Sequence, residues 1–262
     1  VLATSYLSEV FIPYFGDGSK WGMEIKYAIE KEPLGTGGAI RNAAQELTGE
    51  AQVVIFNGDV LSSHSLKSQL DLHRNSNADV TLHLTPVADA RAYGCVPTDE
   101  NGRVTAFLEK MENPVTNNIN AGCYVFDKSV IASIPENDVV SVERQTFPEL
   151  ISREKKIMGY IEKAYWLDIG TPNALMKGSR DLVSGVADAD ALDMYKFSHR
   201  DNNFVSLSEK ISGEFVGGSA IGAHCTLTDC QIDGSIISDG VEAENCIIKN
   251  SFIEIGAKLL PG

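Results

Sequence analysis

The apolar run Val53-Val54-Ile55-Phe56 stops at the turn Asn57-Gly58-Asp59. β-Branched and aromatic residues in so short a run read as a strand buried on both faces. Ligands of open α/β sheets lie beyond the carboxyl ends of such strands. Asp59 stands there, after a glycine that lets the chain turn, and its carboxylate suits a hard cation such as Mg²⁺. That points to phosphate chemistry. Four other segments carry polar or small residues at expected strand ends or helix starts. They are Glu32-Pro33-Leu34-Gly35-Thr36-Gly37-Gly38-Ala39-Ile40; Ala92-Tyr93-Gly94-Cys95-Val96 with Phe107-Leu108-Glu109-Lys110; Asn120-Ala121-Gly122-Cys123-Tyr124-Val125-Phe126; and Trp166-Leu167-Asp168-Ile169-Gly170-Thr171-Pro172. In the first, glycines would let backbone approach a flat ligand and Thr36 would cap a helix. Each segment also has a plain reading. Asp59, Thr36, Asp168 and Thr171 can be caps, Glu109-Lys110 a surface ion pair, and Asn120 to Gly122 a turn before a strand.

The elements that position these residues alternate between strand and helix over residues 1–185, as in an α/β domain. Helices are expected over 8–15, from Thr36 through Leu47, over 66–75 and 128–134, from Pro148, and from Pro172. Strands are expected over 25–32, 53–56, 80–84, 104–109, 122–126 and 157–161. Residues 186–210 lose periodicity and read as a linker with a short helical turn. In 211–262 the apolar residues Phe215, Ile221 and Leu227, then Val241, Ile247, Ile253 and Leu259, are spaced by six, with a two-residue insertion between the sets. Such a period is the mark of a parallel β-helix; a β-sandwich is the alternative.

The chain has 262 residues, 43% of them hydrophobic, and a net charge of −14 from 36 acidic and 22 basic residues. That balance argues against a nucleic-acid partner, whose backbone needs a basic face. It does not exclude a single nucleotide, because a metal can bridge acid to phosphate. No apolar run approaches the ~18 residues of a membrane-spanning helix, and no signal peptide is evident. Five cysteines, an odd number without a CxxC pair, argue against a disulfide framework or a zinc site and for a reducing cytoplasm. None of the five histidines has metal-pair spacing, and no G-x-S-x-G marks a serine hydrolase.

Taken in order, these segments resemble the sugar-1-phosphate nucleotidyltransferases, most closely the bacterial mannose-1-phosphate guanylyltransferases with a C-terminal left-handed β-helix. The resemblance spans essentially the whole chain. It implies a Rossmann-like, GT-A-like α/β domain with a mixed central sheet over 1–185, a linker over 186–210 and a short left-handed parallel β-helix over 211–262. By resemblance, Leu34, Gly35, Thr36, Gly37, Asn57 and Gly58 hold the nucleotide. Gly94, Glu109, Asn120 and Gly122 receive the sugar, and Lys110 meets the sugar phosphate. Asp59 and Asp168 converge on one Mg²⁺. Relatives often follow Glu-Lys with proline; here Met111 stands there. Ser141-Val142-Glu143-Arg144 is also typical of the family, without an assigned role.

The implied reaction joins GTP to mannose 1-phosphate, releasing pyrophosphate, by in-line attack of a sugar-phosphate oxygen on the α-phosphorus. The β-helix would serve assembly, including homo-oligomers, or packing on the catalytic domain. The chain opens on Val1-Leu2-Ala3-Thr4 without a methionine and closes on Leu260-Pro261-Gly262 inside a repeat, so it reads as a fragment. The family's Gly-rich loop with arginine and its Pro-Lys-Pro segment do not occur in it, and the fragment is expected to be inactive alone. Other readings are thymidylyl, uridylyl or adenylyl transfer to glucose 1-phosphate, a nucleotide-sugar sensor without catalysis, and a hexapeptide-repeat acyltransferase. Joint presence of Asp59, Lys110 and Asp168 opposes the sensor. A single histidine in the repeats, His224, opposes the acyltransferase.

Overall fold

A computed structural model describes residues 1–5, 8–49, 51–108, 110–188, 202–206 and 210–260, together with the backbone of 197–200. Contacts divide the chain into two compact units, Val1–Asn57 with Ser65–Lys163 and Gly58–His64 with Ala164–Gly262.

The first unit opens with β1 (Leu2–Thr4), α1 (Ser8–Phe15), β2 (Tyr27–Ile29), α2 (Gly35–Ala43) and β3 (Gln52–Phe56). β4 (Val60–Ser62) belongs to the second unit, after which α3 (Leu66–Ser76), β5 (Val80–Pro86), β6 (Asn118–Asp127), α4 (Lys128–Ile131), α5 (Phe147–Ser152) and β7 (Ile157–Ile161) complete the first. β1 and β2 pair in parallel. The main sheet has the order β3-β6-β5-β7, antiparallel except for β5 with β7. It is the mixed sheet expected. β5 lies inside it, and every residue from Val80 to Thr85 is buried. Val80, Leu82 and Leu84 enter the apolar core. Thr81 alternates to the other face, where α3 supplies polar partners: His73 Nδ1 lies 2.9 Å from Thr81 Oγ1, and Gln69 Nε2 donates to Thr81 O at 3.1 Å. Gln69 is fully buried, which the helical apolar pattern does not reveal.

Three expectations change here. Among the described residues β3 has one partner, β6, and Phe56 is 58% exposed, so the strand before Asp59 is an edge of this sheet rather than buried on both faces. Among the described residues, 104–108 of the strand expected over 104–109 form no ladder. Its pairing is reduced to the bridges Thr98↔Val104 and Cys95↔Leu108. β6 is longer than expected because Asn118 to Asn120 extend its pairing with β5 beyond a register shift between Leu82 and Leu84.

The second unit contains β4, β8 (Trp166–Asp168) and α6 (Pro172–Val183), then β9 (Phe197–Arg200), β10 (Asn203–Ser206), β11 (Lys210–Val216), β12 (Ala220–Ile221), β13 (Thr226–Asp233), β14 (Ile236–Ile237), β15 (Glu242–Glu244), β16 (Ile247–Lys249), β17 (Phe252–Ile253) and β18 (Lys258–Leu259). Apart from β9, these last strands stack in parallel as a β-solenoid. Phe204↔Ala220, Ala220↔Ile236 and Ile236↔Phe252 pair at steps of sixteen residues. The coil is therefore a sixteen-residue turn, lengthened by one residue at the bulge between Ile211 and Gly213. The six-residue spacing is only an approximation to it. Ile247 shows the consequence: it pairs with the outward Gln231 and is 69% exposed, while Ile248 is buried. Interior columns run through Val205, Ile221, Ile237 and Ile253, and through Ile211, Leu227, Ala243 and Leu259. A polar column accompanies them. Ser219 N donates to Asn203 Oδ1, Ser235 N to Ser219 Oγ and Ser251 N to Ser235 Oγ. Part of the expected linker thus belongs to the solenoid, since β10 pairs with β12; residues 189–196, 201 and 207–209 of it lie outside the described residues.

The cysteines are all free, and Cys246 alone among them is not fully buried. Burial pushes the Cys123 thiol up to about 12 and raises that of Cys225. A thiolate-selective reagent at pH 8 is therefore expected to label Cys246 first and Cys95, Cys123, Cys225 and Cys230 only on unfolding. Peptide mass spectrometry reads this out; rapid native labelling of Cys123 would overturn its placement.

Candidate active site

In the first unit a cavity of about 640 Å³ is lined by Asn57, Tyr93, Gly94, Phe107, Leu108, Asn120, Glu143, Arg144 and Pro148. Its floor follows from β6. Gly122, at φ +77°, makes a kink that other residues resist. A Cβ there would lie 2.9 Å from Asn57 Nδ2, and Asn57 N donates to Gly122 O at 2.8 Å. Gly122 therefore makes room for Asn57. Asn120 Oδ1 accepts from Gly122 N at 3.2 Å, and Asn120 Nδ2 donates to Tyr124 Oη at 2.9 Å. Tyr124 is buried, its phenol pKa is raised mainly by burial and also by Glu143, and its hydroxyl donates to Glu143 Oε1 at 3.4 Å. At the opposite rim, Gly94 keeps the chain close to Leu108, since a Cβ would lie 3.1 Å from Leu108 O.

Glu143 and Arg144 come from a π-helical turn, Val142–Thr146, that runs into α5. The turn meets α2 through Thr36, whose Oγ1 accepts from Val142 N at 2.9 Å and donates to Glu143 Oε2 at 3.2 Å. Thr36 thus sits inside α2 rather than capping it; the N-cap is Leu34, without a side-chain bond. The nearby glycines serve the same contact. A Cβ on Gly35 would lie 2.7 Å from Val140 O, and one on Gly38 would lie 2.5 Å from Asp138 O. Gly37 N already donates to Val140 O. These glycines admit the chain's own backbone.

The second unit holds the two aspartates. β4 and β8 pair antiparallel with Val60 opposite Asp168, and Ile169 N donates to Asp59 O at 2.8 Å. A Cβ on Gly170 would lie 3.0 Å from Asp168 Oδ1 and 3.5 Å from Asp59 Oδ2, so both exposed carboxylates flank one space that glycine leaves open. α6 holds this corner. Thr171 Oγ1 accepts from Ala174 N at 3.2 Å, Pro172 follows it, and Gly178 lets the helix approach Leu61, Leu167 and Ile169. Two aspartates are hard oxygen donors suited to Mg²⁺, with substrate oxygens and water filling the other positions. Among the described residues no group of three or more His, Cys, Asp or Glu forms a metal cluster, so the pair stands by itself.

Sequence order thus brings together Asn57, Gly94 and Asn120 at the cavity, and Asp59 with Asp168. Gly58 is exposed beside Asp59, Lys110 is exposed, and Glu109 lies outside the described residues. Tyr93, Phe107, Glu143 and Arg144 line the cavity without having been assigned roles. For Glu143 and Arg144 a signal existed in the segment Ser141 to Arg144, but no residue spacing links it to Asn120.

A family profile described as nucleotidyl transferase matches residues 1–185. The chain is 47% identical over 254 residues to a mannose-1-phosphate guanylyltransferase of Mycobacterium tuberculosis, covering 95% of this chain and 69% of that one. It is 40% identical over 182 residues to a D-glycero-alpha-D-manno-heptose 1-phosphate guanylyltransferase of Aneurinibacillus thermoaerophilus, covering 70% and 77%. Among solved structures, HddC from Yersinia pseudotuberculosis complexed with GMP-PN superposes with a TM-score of 0.58 at 28% identity, covering 67% of this chain and 75% of that one.

Proposed function

The chain belongs to the nucleotidyl transferase family, and on that premise we propose that it transfers a guanylyl group from GTP to mannose 1-phosphate, giving GDP-mannose and pyrophosphate. The observation that carries the chemistry is the convergence of Asp59 and Asp168 beside Gly170. The choice of substrates rests on the 47% identity to the mycobacterial guanylyltransferase.

Attacking and attacked groups are both anionic, so the work of the protein is positioning and charge neutralisation, without a covalent enzyme intermediate. Asp59 and Asp168 would hold Mg²⁺, which when bound neutralises phosphate charge. Gly94, Asn120 and Gly122 would shape the sugar pocket with Glu109, joined by Asn57, which the resemblance gives to the nucleotide but which lines the same cavity, and Lys110 would hold the attacking phosphate. Leu34, Gly35, Thr36, Gly37 and Gly58 would border the nucleotide, with Gly35 and Gly37 acting through the close approach of α2 to Val140. Residues 1–185 would form the transferase domain, and the solenoid, which includes β10 as well as the strands from Lys210 to Leu259, would serve self-association. Five free cysteines fit a reducing cytoplasm. No helix among the described residues is long and apolar enough to cross a membrane.

The test is product formation by the full-length protein with each of four NTPs, against mannose 1-phosphate, glucose 1-phosphate and the manno-heptose 1-phosphate. GDP-mannose as the dominant product is expected. Preference for the heptose would move the sugar to that of the 40% identical relative, and preference for another base would overturn the reading.

A further inference from the structure

We propose that Glu143 is a specificity-determining residue whose carboxylate accepts a hydrogen bond from a hydroxyl of the sugar. This rests on the reading of the cavity as the sugar-phosphate pocket. Three observations lead to it.

First, Glu143 and Arg144 are the charged residues lining the cavity among the described residues, beside the amides of Asn57 and Asn120 and the rings of Tyr93 and Phe107. An acceptor-only carboxylate, adaptable amides and flat apolar faces are what a polyol needs.

Second, the turn that carries Glu143 does not use its carboxylate as a cap. Ser141 Oγ accepts from Arg144 N, Gln145 Oε1 accepts from Ser141 N, and Thr36 Oγ1 accepts from Val142 N. The backbone donors at the start of the turn are met by other side chains.

Third, the carboxylate is fenced by hydroxyls without being saturated. Thr36 and Ser141 approach Oε2 at 3.2 and 3.3 Å, and Tyr124 approaches Oε1 at 3.4 Å. All three are longer than the ~2.7–2.8 Å usual for O–H···O. An ionised carboxylate offers about four acceptor positions, so capacity remains for a shorter bond to a ligand hydroxyl. Tyr124 ties this orientation to Asn120, because the same phenol accepts from Asn120 Nδ2 at 2.9 Å. One buried hydroxyl thus sets the spacing between two groups that face the cavity.

The experiment compares wild type and Glu143→Gln in the full-length protein, using mannose 1-phosphate and its monodeoxy analogues with saturating GTP. A hydrogen bond to a charged acceptor is worth about 1.5–3 kcal/mol, or roughly 10- to 150-fold. The KM for mannose 1-phosphate is expected to rise about tenfold or more, with the KM for GTP within about twofold. One deoxy analogue should be penalised about tenfold in wild type and under about threefold in Glu143→Gln, which a merely structural role would not produce. Unchanged KM, or equal penalties in both proteins for every analogue, overturns the proposal. Circular dichroism checks folding. If Glu143→Gln does not fold, Tyr124→Phe takes its place, and an unchanged KM there also overturns the proposal. Absence of turnover of any sugar 1-phosphate by wild type would remove the functional reading and this one together. Turnover in wild type with an unaffected Glu143→Gln removes this one alone.

Discussion

Asp168→Asn is expected to lower nucleotidyl transfer by about 10³-fold or more while leaving the fold intact. The substitution keeps size and shape. Asn can still accept from Gly170 N, as Asp168 Oδ1 does at 2.8 Å, and the β4–β8 pairing beside it is a backbone matter. What disappears is one of two charges that flank the open space at Gly170. Charge stabilisation by a bound metal is worth several kcal/mol in such reactions, and each ~1.4 kcal/mol is a factor of ten. Because no third His, Cys, Asp or Glu joins the pair among the described residues, neither aspartate has a neighbour to replace it. Asp59→Asn should therefore match Asp168→Asn, and the double variant should be little worse than either single one. Titration with Mn²⁺, followed by water proton relaxation, gives a readout apart from turnover: binding should weaken in both single variants. Activity within about tenfold of wild type, with unchanged metal binding, would remove the pair from the chemistry.

The readable parts of the sequence were those in which local pattern and tertiary context agree. α1, β7 and the start of α6 stand where their apolar spacing, Gly16 and Pro172 placed them. Asp59 and Asp168 were paired by resemblance, and the antiparallel register of β4 with β8 supplies the physical cause. The rest depends on partners that sequence does not display. Gly35 and Gly38 read as ligand-facing glycines because nothing local displays Val140 and Asp138, a hundred or more residues on in the chain. Thr36 read as a cap because its true partners, Val142 and Glu143, are equally remote. The solenoid was legible as a repeat but not in its length. Six-residue spacing counts apolar residues, whereas strand pairing counts the whole sixteen-residue coil, and Ile247 falls between the two measures. Glu143 escaped assignment for the same reason as Thr36.

Phe147→Ala is expected to cost about 3–5 kcal/mol, the usual range for a large aromatic removed from a packed core. The side chain is fully buried, and its ring lies 4.6 Å from Phe107, 5.5 Å from Tyr124 and 5.9 Å from Phe126. Each such pair adds about 0.5–1.5 kcal/mol beyond burial, so the upper part of the range is appropriate. For a chain of this size about 2–4 °C accompanies each kcal/mol, which gives a fall in Tm of roughly 6–20 °C in a thermal melt. A fall under about 3 °C would mean that the aromatic cluster relaxes into the gap. The position adds a second consequence. Phe147 begins α5 directly after the turn that carries Glu143, and two of its ring neighbours are Phe107, which lines the cavity, and Tyr124, which bonds Asn120 and Glu143. Core and cavity wall are here the same side chains. Well below its Tm, Phe147→Ala should therefore also raise the KM for the sugar phosphate, whereas Asp168→Asn should impair turnover without touching stability. That opposition separates the residues that shape a pocket from those that act on what it holds.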